Sequence, residues 1–269
     1  MTHGYFNSVF IFTTLLVTTS CSTKVNYLIS SMVDLVPSYD LKIDESINTS
    51  YYSFTVGEDA SDMTLFFIPG SGCASLKYYF KPFFSELDGN IRIFAMQKRN
   101  LDNNSTGVLG CDKKFHRSNI FRNWVQDQKQ FIDMMSNHAD VEGKPIVLLG
   151  VSEGGNVAAA VAAASPNVTH LAILGSGGMK QIDELKLLFR NKRLKNSLDD
   201  VFSIISHDPD NIDKTAYGQT YKYWSSVVYV DPLAFYSKVD IPILVGIGES
   251  DKRTPVESAI YLRNYFSDS

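Results

Sequence analysis

Five short apolar segments, separated by stretches with helical periodicity, constrain the fold of this chain most strongly. The segment at 64–68 is apolar at consecutive positions, which predicts a strand covered on both faces rather than one with a solvent-exposed side. The longest helical pattern covers 119–137. Strands that alternate with helices in this way favour a mostly parallel sheet with helices on both faces, which is an α/β fold. The apolar segments lie at 64–68, 91–96, 145–149, 170–174 and 241–247.

The remaining segments complete a single α/β domain, which we place at 22–269. Residues 51–56 alternate between apolar and polar, as an antiparallel edge strand does, and helical patterns cover 76–87, 156–164 and 256–266. Between the last two apolar segments the alternation stops. The stretch at about 176–231 is mainly helical and charged, and we interpret it as a cap insertion over the carboxyl ends of the strands, where ligands bind. The alternative is a solvated helical excursion whose aromatic residues are ordinary core; those aromatics are Tyr217, Tyr221, Tyr223, Trp224 and Tyr229.

Composition excludes several classes of function. The 269 residues carry a formal net charge of −4, with no basic cluster dense enough for a run of phosphates, so nucleic-acid binding is not expected. Three cysteines without Cys-x-x-Cys spacing give no structural metal site. The expected partner is a small molecule, no cofactor is implied, and the oligomeric state is not indicated.

The first of those cysteines, Cys21, follows a short apolar run at 9–17 that is too short to span a bilayer. This pattern predicts a signal peptide at 1–21 and resembles a bacterial lipoprotein signal, in which Cys21 becomes the lipid-bearing first residue. The protein would then be exported, periplasmic or anchored by its lipid. The alternative is a buried N-terminal strand. Export leaves Cys73 and Cys111 as a pair in an oxidising compartment, which favours a disulfide between them.

The sequence Gly-Val-Ser-Glu-Gly-Gly at 150–155 carries the strongest chemical signal. It follows a buried strand and opens an Ala- and Val-rich helix, so Ser152 lies at a tight strand-to-helix turn, as a nucleophilic hydroxyl requires. Glycines two residues on either side remove side chains that would collide there. A nucleotide-binding alternative fails, because this motif lacks the middle glycine of the dinucleotide fingerprint and no P-loop sequence is present.

The motif and its surroundings resemble the α/β-hydrolase family, in particular secreted esterases and relatives of dienelactone hydrolase and prolyl oligopeptidase. The resemblance covers about residue 51 onward. It implies an acyl-enzyme on Ser152 and an oxyanion hole formed by the Glu153 N–H and a second N–H. That second donor is Gly72 or Cys73, in the turn after the strand at 64–68.

The same resemblance implies an acid after a late strand and a histidine after one further strand. Asp251 matches the position of the acid, with Glu249 as the lesser candidate; the alternative for Asp251 is a helix cap. No His follows Asp251. The sequence therefore predicts either a truncated chain that lacks its last strand or an enzyme without its base, unless His116 or His207 substitutes. We expect an impaired serine hydrolase acting on an ester, thioester or amide, or else a non-catalytic relative that binds a ligand or partner.

Overall fold

The computed structural model describes residues 36–43, 48–58, 61–108, 110–189 and 192–268. The predicted signal segment and Cys21 lie outside these residues. Within the described ranges, no helix combines the length and the apolar character needed to cross a bilayer.

Nine strands and nine α-helices make up the described part of the chain, together with a 3-10 turn at Leu76–Tyr78. The strands are β1 (Ser38–Lys42), β2 (Asn48–Val56), β3 (Met63–Ile68), β4 (Ile91–Met96), β5 (Ile146–Val151), β6 (His170–Leu174), β7 (Thr215–Ala216), β8 (Gln219–Thr220) and β9 (Ile243–Gly246). The helices are α1 (Phe80–Phe83), α2 (Lys113–Ser118), α3 (Phe121–Met135), α4 (Glu153–Ala162), α5 (Gln181–Leu188), α6 (Lys192–Ser206), α7 (Tyr221–Val227), α8 (Leu233–Tyr236) and α9 (Val256–Asp268).

Seven strands form one sheet in the order β1-β2-β4-β3-β5-β6-β9, and β7 and β8 form a separate two-stranded sheet. The contacts β1–β2 and β2–β4 are antiparallel, and all others in the large sheet are parallel. The prediction of a mostly parallel sheet is therefore confirmed. The segment 51–56 is a strand, but it is not an edge strand, because β1 pairs along its outer side. Only Leu41 of β1 is buried, so its polar sequence gives little sign of a strand.

The helix predicted at 76–87 is the second prediction that the structure corrects. The chain forms the 3-10 turn, breaks at Tyr79 (φ −141°, ψ −9°) and continues as the four-residue helix α1. A continuous helix would need an N–H at position 82 to donate to the carbonyl of residue 78. Pro82 has no such N–H, so the pattern of aromatic residues does not extend into one long helix.

Aromatic residues fill the core on both faces of the sheet. Consecutive residues of a strand point to opposite faces, and Phe66 and Phe67 of β3 accordingly join two different clusters. Phe66 stacks on Phe94 and meets Phe131 of α3 edge-on, whereas Phe67 stacks on Phe80. Both faces of β3 are buried, which explains why this strand is apolar at consecutive positions.

The insertion at 176–231 contains α5, α6, α7 and the β7–β8 hairpin. Tyr223 and Trp224 are buried, whereas Tyr217 and Tyr229 are 44% and 59% exposed. Trp224 packs edge-on against Phe202 of α6. Both buried aromatics also belong to the core cluster on one face of the large sheet, so they join the insertion to that core.

Two isoleucines test the depth of this core. Ile173 of β6 is fully buried, whereas Ile204 of α6 is 58% exposed. We expect Ile173→Ala to lower the free energy of unfolding by about 2–5 kcal/mol, because it removes buried methyl groups and leaves a cavity. The same substitution at Ile204 should cost less than about 1 kcal/mol. Urea unfolding followed by circular dichroism compares the two variants, and equal losses would contradict the described core.

Candidate active site

Ser152 lies at the turn between β5 and α4 and has a strained backbone. Its φ of 54° and ψ of −128° fall in a region that side-chain-bearing residues rarely occupy. The Ser152 N–H donates to the Leu174 carbonyl oxygen at 2.8 Å, and the Ser152 carbonyl accepts from the Gly155 N–H at 2.8 Å. These bonds hold the strained conformation and leave the side chain partly exposed at the carboxyl edge of the sheet.

Two glycines make this turn sterically possible. A Cβ on Gly150 would overlap the carbonyl oxygen of Gly154, and a Cβ on Gly154 would overlap the carbonyl oxygens of Ile68 and Pro69. Strand β5, helix α4 and the end of β3 therefore approach one another more closely than any residue larger than glycine would allow at these two positions. The predicted role of both glycines agrees with this geometry.

Ser152 opens into a small polar cavity of about 60 Å³. Elements from distant parts of the sequence line it: the turn after β3, the start of α4, helix α5 of the insertion and the segment before α9. The lining residues that bear on the chemistry are Ser71, Glu153, Gln181, Glu184, Arg253 and Thr254. Sequence reasoning did not identify Ser71, Gln181, Glu184 or Arg253 as site residues.

The turn after β3 lies directly against the nucleophile. A Cβ on Gly70 would be 3.3 Å from Ser152 Cβ and 3.8 Å from Ser152 Oγ. Ser71 lines the Ser152 cavity, while Gly72 and Cys73 line a neighbouring cavity of about 600 Å³ that Ser71 also borders. The Ser71 N–H is thus a third candidate for the second oxyanion donor, beside those of Gly72 and Cys73. The sequence did not suggest it. Glu153 is the first residue of α4, where backbone N–H groups have no partner within the helix.

Several bonds fix the position of this turn. Cys73 and Cys111 form a disulfide with a Cα–Cα distance of 5.7 Å. Ser105 Oγ donates to the Cys73 carbonyl at 2.7 Å, and the Ser75 N–H donates to the Ser105 carbonyl at 2.7 Å. The predicted pairing of the two cysteines is present, and it ties the turn after β3 to the loop after β4.

Asp251 lies after β9 in an exposed turn. Its Oδ1 accepts from the backbone N–H groups of Arg253 at 2.7 Å and Thr254 at 3.1 Å, which is a capping arrangement. A Cβ on Gly175 would be 3.8 Å from Asp251 Oδ2, so the carboxylate lies beside the end of β6. Its neighbours Arg253 and Thr254 line the Ser152 cavity, whereas Asp251 does not. Glu249 is exposed in the same loop.

No histidine of the described residues lines the Ser152 cavity. His207 follows α6 at an exposed position, where its Nδ1 lies 2.7 Å from the Ser203 carbonyl. His116 belongs to α2, and its Nδ1 is buried without a hydrogen-bond partner. Neither of these two candidate bases is therefore brought to the nucleophile.

The side chain of Glu153 belongs to a buried polar group that the sequence did not reveal. Its Oε2 accepts a hydrogen bond from the Tyr223 hydroxyl at 2.8 Å, which connects α4 to the insertion. Lys98 lies near it, with Nζ 3.6 Å from the centroid of the Trp124 ring and 3.5 Å from the Gly72 carbonyl oxygen. The ammonium therefore interacts with an aromatic face and with the turn after β3.

Burial shifts the pKa values of this group. Desolvation raises the pKa of Glu153, while Lys98 and Tyr223 oppose the rise. Desolvation lowers the pKa of Lys98 to about 8, against the attraction of Glu153. The sequence carries one signal of this buried polar group, namely that Lys98 is a charged residue placed soon after the buried strand β4.

Glu184 is a second acid at this cavity whose pKa is raised. Burial is the main cause, a hydrogen bond with Ser258 opposes it, the charge of Asp183 adds to it, and the resulting pKa is about 7. Glu184 belongs to α5 and, like Ser152, is one of the residues that line the small cavity. In the described residues, no three His, Cys, Asp or Glu side chains are grouped so as to hold a metal ion.

Comparison with solved structures returns many matches. An acylaminoacyl peptidase from Pyrococcus horikoshii matches 90% of this chain and 37% of its own, with a TM-score of 0.56 and 14% identity. Est1E from Butyrivibrio proteoclasticus matches 84% of each chain, with a TM-score of 0.56 and 14% identity. The α/β hydrolase GrgF from a Penicillium species matches 85% of each chain, with a TM-score of 0.57 and 14% identity.

This chain spans a little over a third of the acylaminoacyl peptidases that it matches. No protein-family model matches the sequence, and no curated protein does.

Lys98 provides a test of the buried polar group. The native state releases the Lys98 proton near pH 8, whereas the unfolded chain keeps it until about pH 10.5. Between these values the unfolded state binds more protons, so wild-type stability should rise with pH relative to Lys98→Met, by on the order of 1–3 kcal/mol. Urea unfolding at pH 7.5, 9 and 10.5 measures the difference.

Lys113→Met is the matched control, because Lys113 is exposed at the surface. This variant should follow the wild-type pH dependence. A difference between wild type and Lys98→Met that does not change with pH would show that the ammonium is not desolvated.

Proposed function

We propose that this chain, whose fold is the α/β-hydrolase fold, is a serine hydrolase that cleaves a carboxylic ester, thioester or amide through an acyl-enzyme on Ser152. One observation carries the proposal: a partly exposed serine hydroxyl is held in strained backbone geometry at a strand-to-helix turn, beside a glycine-lined turn. Packing alone does not need such strain, whereas presentation of a nucleophile does. The peptidase and the α/β hydrolase among the matching structures support the same class of chemistry.

The chemistry would proceed in two steps. Ser152 Oγ attacks the carbonyl carbon, the carbonyl oxygen takes the negative charge, and the leaving group departs from the tetrahedral intermediate; water then hydrolyses the acyl-enzyme. The Glu153 N–H at the start of α4 would stabilise the oxyanion, with a second N–H from Ser71, Gly72 or Cys73. One such donor typically contributes about 2.7–4 kcal/mol to the barrier.

The substrate would be a small molecule that enters through the neighbouring cavity of about 600 Å³. The Ser152 cavity alone, at about 60 Å³, holds only the reacting group.

Turnover should be slow. No histidine of the described residues lines the Ser152 cavity, and loss of the histidine costs a serine hydrolase up to about 10⁶-fold in rate. Among the described residues no imidazole lies beside Asp251. Its carboxylate would therefore cap the backbone N–H groups of its own loop rather than orient a catalytic histidine.

A second function is favoured by a different observation, namely that no histidine of the described residues lines the Ser152 cavity. A protein with this fold and no imidazole at the serine would bind a ligand or partner at the two cavities without cleaving it. The two functions differ in one property, which is the reactivity of Ser152.

Covalent labelling distinguishes them. We expect a fluorophosphonate probe to modify the wild-type protein at Ser152 and to leave Ser152→Ala unmodified, since only an activated serine attacks phosphorus. Ser206→Ala is the control, because Ser206 is exposed at the end of α6 and should not affect labelling. Peptide mass spectrometry locates the adduct. Absence of a Ser152 adduct in the wild-type protein would favour the binding function.

We also propose that the protein is exported and anchored through Cys21. The disulfide between Cys73 and Cys111 supports this location, because such bonds persist in oxidising compartments. Expressed in a bacterium, the wild-type chain should appear in the membrane fraction, shortened before Cys21 and carrying a lipid. Cys21→Ser should be neither processed nor lipidated. Intact-mass measurement checks both, and a wild-type protein that begins at Met1 in the cytosol would contradict the proposal.

A further inference from the structure

Attack by Ser152 requires a group that accepts its hydroxyl proton. Among the described residues that line the Ser152 cavity, the ionisable ones are Glu153, Glu184 and Arg253. A base must lie within hydrogen-bond reach of the hydroxyl or one water away, so these three residues are the candidates.

Two of the three are unsuited to the role. The guanidinium of Arg253 keeps its proton and has no acceptor atom. The carboxylate of Glu153 already accepts the Tyr223 hydroxyl and lies in the electrostatic field of Lys98. Glu184 remains, and its carboxyl group belongs to a different element, α5, which forms another wall of the same cavity.

We propose that Glu184 is the proton acceptor for Ser152, an inference that rests on the proposed function. The proton of Ser152 passes to a Glu184 carboxylate oxygen, directly or across one water, as Oγ forms its bond to the carbonyl carbon. The Glu184 carboxylic acid then returns that proton to the leaving group as the carbon–leaving-group bond breaks. In the second step the same carboxylate takes a proton from the attacking water and returns it to Ser152 Oγ, so protons and electrons balance.

The position of Glu184 is fixed by the packing of the segment before α5 on α9. The Gly178 N–H donates to the Ser258 carbonyl at 3.0 Å, and the Met179 N–H donates to Ser258 Oγ at 3.2 Å. Ser258 is fully buried and also hydrogen-bonds the Glu184 carboxyl group. A single serine thus fixes both the backbone that leads into α5 and the acid itself.

The charges around Glu184 suit a base that works near neutral pH. Burial and the neighbouring charge of Asp183 raise its pKa to about 7, in opposition to the Ser258 hydrogen bond. Tyr236 of α8 lies within the electrostatic reach of Glu184, and burial raises the pKa of that phenol, so the phenol stays protonated. The other charged side chains of the cavity are Arg253 and Glu153. A general base is most effective when its pKa is close to the working pH.

The rate of fluorophosphonate labelling at Ser152, measured from pH 5 to pH 9, tests the inference. The wild-type rate should rise with pH and level off, with a midpoint near 7, because only the carboxylate accepts a proton. Glu184→Gln should lower the plateau by about 10²–10⁴-fold and abolish the midpoint.

Two further variants separate a role in proton transfer from a merely structural one. Ser258→Ala removes a hydrogen bond that lowers the pKa of Glu184, so the midpoint should move to higher pH. Asp183→Asn, the matched control, alters the adjacent exposed acid and should keep the plateau while moving the midpoint slightly down.

The outcomes are distinct. If Ser152 is labelled at the same rate and with the same pH profile in Glu184→Gln as in wild type, the inference is overturned and the proposed function stands. A midpoint unmoved in Ser258→Ala also overturns it. If wild-type Ser152 is not labelled at any pH, both proposals fail.

Discussion

The close approach of three backbone segments at Ser152 determines most of this architecture. The end of β3, the end of β5 and the start of α4 meet where a side chain on Gly150 or Gly154 would overlap main-chain atoms. The strain at Ser152 persists because the surrounding sheet and helix over-determine the turn. Parallel pairing of β3, β5 and β6 brings the loops that follow these strands to the same edge. Residues far apart in sequence can therefore share one cavity.

A second constraint links that edge to the insertion. Tyr223 reaches the carboxyl group of Glu153 from α7, and Lys98 lies between the Trp124 ring and the turn after β3. A buried charge is costly unless its hydrogen bonds are satisfied, so these contacts oppose separation of the insertion from the sheet. The insertion also carries Glu184, which lines the same cavity as Ser152.

The sequence predicted what depends on local pattern and missed what depends on distant contacts. The bounds of β4 and β6 agree with the apolar segments at 91–96 and 170–174, because strands covered on both faces are apolar at consecutive positions. The tight turn at Ser152 could also be predicted, because Gly150 and Gly154 lie two residues on either side of it. The polar strand β1 carries no such pattern, and the roles of Glu184 and Lys98 arise from burial against elements that only the folded chain brings together.

The outer side of β9 presents backbone hydrogen-bonding groups that no other described strand uses. In the described part of the chain this strand pairs on one side only, with β6, and Leu244 is 65% exposed on it. The strand carries no charged residue, and Pro242 precedes it. A cavity of about 880 Å³ between β9 and α9, lined mainly by apolar residues, lies beside this edge. A further strand can therefore add to the sheet along β9.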